Sequence, residues 1–125
     1  MEQEEMEMSM SRIKQIIKWF PGVTLGVARQ IGKTEAIIQI IHEKHGGNAA
    51  VISPSEMLSE GIYRRYREAY PNDTTPLFTS DPMWLRGKES RPVYVDEPWF
   101  MSESKRQAIA NLRWPVMARI GTSSW

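Results

Sequence analysis

Apolar positions along the chain fall into short continuous runs, separated by longer stretches in which they recur every three or four residues. The runs are VTLGVA (23–28), AAVIS (49–53), PVYVDE (92–97) and VMARIGT (116–122), with LFTS (77–80) as a shorter one. Rich in β-branched residues and bounded by turn signals, they predict buried strands. Between them, Ile13, Ile16, Ile17 and Phe20 share one face of a helix capped by Ser9 or Ser11 and stopped at Pro21-Gly22. Ile37, Ile38 and Ile41 mark a second helix, which follows Thr34 and closes at Gly46-Gly47. SPSE (53–56) reads as a capping box, with Ser53 as the cap, Pro54 as the first helical residue and Glu56 reaching back to the cap amide. The helix it opens extends to about Tyr70 and buries Leu58, Ile62 and Tyr66. A last helix is predicted over roughly Glu103 to Leu112.

Strands alternating with helices require crossover connections and therefore parallel pairing, and runs without polar alternation are those of strands covered on both faces. The predicted fold is α/β, a three-layer α/β/α sandwich with a mostly parallel sheet. Ligands of such sheets sit at the carboxyl ends of the strands. Residues 1–8 alternate glutamate and methionine and read as a flexible lead-in, leaving 9–125 as a single domain.

Composition narrows the choice of function mainly by exclusion. The chain has 125 residues, 41% hydrophobic and 25% charged, with a net charge of +1, so any nucleic-acid surface must be local. It contains no cysteine, which removes disulfides, thiolate metal sites and cysteine nucleophiles together. The acidic N-terminus lacks the pattern of a signal peptide and no apolar run reaches membrane-spanning length, so a cytoplasmic protein without a membrane partner is expected.

Gly32-Lys33-Thr34 lies where the first strand gives way to helix. Amides at a helix start face outward there, and the helix dipole favours an anion. Lys33 suits the terminal phosphates of a nucleotide, and the Thr34 hydroxyl suits a magnesium ion shared with them. The full signature G-x-x-x-x-G-K-[ST] asks for glycine at position 27, where this chain has Val27. A second acidic element completes the pattern: the strand PVYVDE delivers Asp96 to the same edge as a metal partner, and Glu97 beside it as a base for a water aimed at the γ-phosphate.

With both elements in place, the chain from about residue 22 onward resembles the ATPase domain of the large terminase subunit, the DNA-packaging motor of tailed phages, and more distantly the superfamily-two helicases. That family often writes its phosphate loop as a small residue followed by R-Q-x-G-K-[ST], the form of Ala28-Arg29-Gln30-Ile31-Gly32-Lys33-Thr34. Arg86-Gly87 ahead of Asp96-Glu97, and the closing RIGTSSW, resemble its next two blocks. The resemblance implies a truncated P-loop NTPase that binds ATP through Ala28, Arg29, Gln30, Ile31, Gly32, Lys33, Thr34 and Glu35, and holds Mg2+ through Thr34 and Asp96. It implies hydrolysis by Glu97 with Lys33, with Arg29 as an internal arginine finger, and coupling through Thr122 and Ser123. Its implied partners are double-stranded DNA and further copies or other packaging subunits, in a host cytoplasm. The family's nuclease domain has no acid cluster here to build it. VTLGVA, which a further strand usually covers in this class, is expected to be a sheet edge.

Other features have two readings. Arg64, Arg65 and Arg67, interleaved with tyrosines, suit DNA contact or simply a solvated basic face. His42 and His45 suit a metal pair or the negative end of their helix, and Trp19-Phe20 suit adenine stacking or a staple onto the core. Two functions from different classes are compatible with the chain. One is a Mg-dependent ATPase that translocates or packages double-stranded DNA; the other is a nucleotide-binding assembly or regulatory subunit that needs a partner for turnover. A helicase-like fragment ranks behind both, because a helicase needs a second motor domain.

Overall fold

The computed structural model describes residues 2–27 and 32–122. Its elements are α1 (Glu2–Trp19), β1 (Val23–Val27), α2 (Lys33–His45), β2 (Ala50–Ile52), α3 (Glu56–Ala69), β3 (Leu77–Thr79), β4 (Val93–Asp96), α4 (Glu103–Leu112) and β5 (Val116–Thr122), with 3-10 turns at Pro82–Leu85 and Pro98–Phe100. The sheet order is β1-β5-β4-β2-β3, and every pair is parallel.

The strand runs alternate in the direction they face, but both faces are covered. Val51, Tyr94, Ala118 and Ile120 point to one side, where they meet Ile13 and Ile17 of α1, Ile37 and Ile41 of α2, and Ile62 and Tyr66 of α3. Ala50, Ile52, Val93 and Val95 point to the other, against Leu85, Met101 and Ile109. Burying both faces of β2 and β4 removes the polar alternation, and this is why they read as continuous apolar runs. The result is the three-layer sandwich, with its sheet wholly rather than mostly parallel.

Two local expectations differ from the structure. α1 starts at Glu2 rather than at Ser9 or Ser11; glutamate and methionine are good helix formers. The cap of α3 is Ser55, not Ser53: Ser55 has extended backbone and its Oγ accepts from the Leu58 amide at 3.3 Å. Ser53 instead prolongs the β2 ladder, its N–H donating to Thr79 O at 3.0 Å.

β1 is an edge strand, as expected. Trp19 and Phe20 are not stapled into the core: they are exposed, just ahead of the amino end of β1. A five-residue strand, about 16 Å long, separates them from its carboxyl end. The two histidines serve separate contacts. His42 Nδ1 lies 2.8 Å from Asp73 Oδ2, which also accepts from the Tyr66 hydroxyl at 2.6 Å; His45 Nε2 lies 2.8 Å from the Tyr94 hydroxyl. These two bonds, from Tyr66 and His42, hold the Asp73 carboxyl below the usual carboxylate range. Among the described residues no three histidine, cysteine or acidic side chains gather where they could hold a metal ion, and no helix is long and apolar enough to cross a membrane.

Candidate functional site

Three chain segments meet at the carboxyl edge of the sheet. The first is the start of α2. Gly32 stands at φ 82°, ψ 29°, a left-handed conformation that glycine adopts without the penalty a Cβ brings. From there its carbonyl accepts the Ala36 amide at 2.8 Å, the first bond of the helix. Lys33 and Thr34 are thereby fixed in the first turn. Ala28, Arg29, Gln30 and Ile31 lie outside the described residues, as does Ser123.

The second segment is the end of β4, where Asp96 and Glu97 follow three fully buried strand residues. Glu97 is left-handed, at φ 54° and ψ 56°, a conformation costing about 1 kcal/mol or more for a residue with a Cβ. Its backbone still joins the sheet, the N–H donating to Ile120 O at 2.8 Å. Its side chain turns to the third segment, the end of β5: Glu97 Oε1 accepts from the Thr122 amide at 2.6 Å and from the Thr122 hydroxyl at 2.8 Å.

Lys33 joins the segments. Its ammonium donates to Asp96 Oδ1 and stands 3.3 Å from Glu97 Oε1. The side chains of Lys33, Asp96 and Glu97 are 15%, 3% and 9% exposed, so two nearly buried carboxylates share one cation. The local balance is one negative charge too many. Burial pushes the Asp96 carboxyl above its usual range, Lys33 pulls it back, and Glu97 adds to the rise. A site so arranged gains from an additional cation.

Lys33, Thr34, Asp96, Glu97 and Thr122 line one cleft of about 570 Å³, together with Met57, Leu58, Gly61, Ile62 and Arg65 of α3 and Phe100 of the turn after β4. A larger groove of about 660 Å³ lies at the outer edge of the sheet, between α3 and β3, but neither lysine nor arginine lines it. Of these two, the smaller cleft is the one that cationic side chains line.

The sequence pattern gives no sign of the α3 part of this lining, which reaches the cleft only once α3 packs beside α2. Arg65 reaches the cleft and pairs with Glu35, its Nη2 3.1 Å from Glu35 Oε1. Arg67 turns away to the Thr75 hydroxyl at 3.3 Å, and Arg64 is exposed, so the three arginines do not share one set of contacts. Arg86 is exposed and outside the cleft.

Trp99, in the turn after β4, packs on the end of β5. Its indole N–H donates to Thr122 O at 2.8 Å, and its ring covers Gly121 so closely that a Cβ there would stand 2.4 Å from a ring carbon. Gly121→Ala is therefore expected to expel the indole from β5 at a cost of about 1–3 kcal/mol. The measurement is the fluorescence difference between each protein and its Trp99→Phe counterpart: the Trp99 component shifts to the red in Gly121→Ala. An unchanged component would mean that the ring does not rest on Gly121.

No protein-family model matches the chain, and no curated protein matches it. Among solved structures, the C-terminal domain of a possible DNA helicase from Lactobacillus plantarum WCFS1 is similar over 91% of this chain and 82% of its own, with a TM-score of 0.50 and 14% identity. The likeness is one of fold, and it matches the α/β sandwich described above.

Proposed function

We propose that the chain binds ATP with magnesium at this cleft and hydrolyses it, as a terminase-like P-loop ATPase acting on double-stranded DNA. The observation that carries the reading is the convergence of Lys33, from the first turn after β1, with Asp96 and Glu97, from the end of β4. These are the cation and acids that phosphoryl transfer needs, meeting at the ligand-binding edge of a parallel sheet. The DNA role rests on the sequence resemblance alone.

Lys33 grips the β- and γ-phosphates by exchanging its carboxylate partners for phosphate oxygens. Thr34 and Asp96 are the residues that would hold magnesium. A hydroxyl and one carboxylate are hard oxygen donors, and magnesium is ordinarily held by one or two carboxylates together with substrate phosphates. When bound, the ion neutralises charge on the β- and γ-phosphates. Glu97 takes the proton from the attacking water as the water oxygen bonds to the γ-phosphorus and the bond to the ADP oxygen breaks. Thr122 must first release the Glu97 carboxylate, so the end of β5 couples phosphate occupancy to the base.

A second reading, a nucleotide-binding subunit activated by a partner, is favoured by two observations: the place of β1 at the edge of the sheet among the described residues, and the hold of Thr122 on Glu97. Exposed edges invite pairing with another chain. Phosphate release from MgATP by the purified chain, with and without linear duplex DNA, separates the readings. Magnesium-dependent release supports the enzyme, and nucleotide binding without release supports the partner-activated subunit. Neither binding nor release would overturn both.

A further inference from the structure

We infer that Arg65 belongs to the nucleotide site rather than to a DNA surface, and that it leaves Glu35 to clamp the terminal phosphate of a bound nucleoside triphosphate. This rests on the reading of the cleft as a nucleotide site. Arg65 and Lys33 are the two cationic side chains lining the cleft among the described residues, one from α3 and the other from the start of α2. Lys33 is engaged by Asp96 and Glu97, whereas among the described residues Arg65 is held by Glu35 alone, through a bridge whose side chains are 55% and 39% exposed. A bridge so open to water is weak and easily exchanged for a phosphate oxygen carrying more charge. Glu35 lies in the first turn of α2 with Lys33 and Thr34, so the bridge holds Arg65 at the helix end that carries the phosphate grip.

The surface of α3 clears the way. Helical side chains lean toward the helix start, so the stem of Arg65 lies over the turn containing the residue four before it. That residue is Gly61, which also lines the cleft and around which a Cβ would meet nothing within 4 Å. Glycine inside a helix costs stability relative to alanine. What it leaves here is an open track from Arg65 to the cleft.

The clamp distinguishes triphosphate from diphosphate, because its target is the γ-phosphate. The test displaces a fluorescent mant-nucleotide from the full chain with Mg·AMPPNP or MgADP, in wild type, Lys33→Ala, Arg65→Ala, Arg65→Lys and Gly61→Leu. Arg65→Ala is expected to weaken Mg·AMPPNP by about tenfold or more while leaving MgADP within about threefold. Arg65→Lys, lacking the planar fork, restores only part of the loss. Gly61→Leu, with arginine intact but its track filled, reproduces the selective loss. Equal loss for both nucleotides, or none for either, overturns the inference. If Lys33→Ala loses both nucleotides while Arg65→Ala changes neither, the clamp alone falls and the nucleotide site stands. Wild-type protein that takes up no nucleotide removes both.

Discussion

Glu97→Gln is expected to bind MgATP as wild type does and to lose hydrolysis by about 10²–10⁴-fold, the usual worth of a positioned general base. The amide keeps the shape of the carboxylate, and its oxygen can still accept from the Thr122 amide and hydroxyl, the two bonds that hold the side chain against β5. It cannot accept a proton from water. The change also leaves Lys33 and Asp96 as a one-to-one pair. A loss of turnover with intact uptake thus assigns the base, and it is read from single-turnover phosphate release alongside nucleotide binding. Turnover within about twofold of wild type would remove Glu97 from the chemistry.

Lys33→Ala has the larger effect on the protein itself, because it strands two nearly buried carboxylates. Removing one partner of a buried ion pair costs about 3–5 kcal/mol, and Lys33 serves both acids. The loss depends on pH in a defined direction. Asp96 already titrates above its ordinary value, through burial, with Lys33 opposing the shift. Its ionised form therefore works against folding once the pH exceeds that raised value, and the protonated form below the ordinary carboxylate range does not. Without the ammonium, the rise in Asp96 grows. The stability deficit of Lys33→Ala is thus greatest at neutral pH and shrinks as the pH falls through the Asp96 transition. Urea unfolding of variant and wild type at several pH values measures it. Taking the difference cancels carboxylates common to both, such as Asp73, whose depressed titration makes both proteins lose stability on acidification. A deficit independent of pH would show that Lys33 is not compensating these acids.

The parallel sheet was legible because β2 and β4 are buried on both faces and leave uninterrupted apolar runs such as AAVIS and PVYVDE. The same runs placed Lys33, Asp96 and Thr122 at strand ends, and in a parallel sheet those ends share one edge. Helix boundaries were less legible. SPSE carries two serines able to cap, and the choice of Ser55 follows from the Ser53 bond to β3, a contact between segments distant in sequence. Three features of the cleft had no local signal. The left-handed backbone of Glu97 accompanies an amide bond to β5; the Gly121 requirement depends on the ring of Trp99; the place of Arg65 depends on α3 packing beside α2. Periodicity reports which face of an element is buried, but not which neighbour buries it.

The most direct measurement is calorimetric titration of MgATP into the wild-type chain and into Lys33→Ala. One saturable site is expected in the wild type and its loss in the variant, under conditions where both remain folded. Identical heats from the two proteins, or none from the wild type, would contradict it.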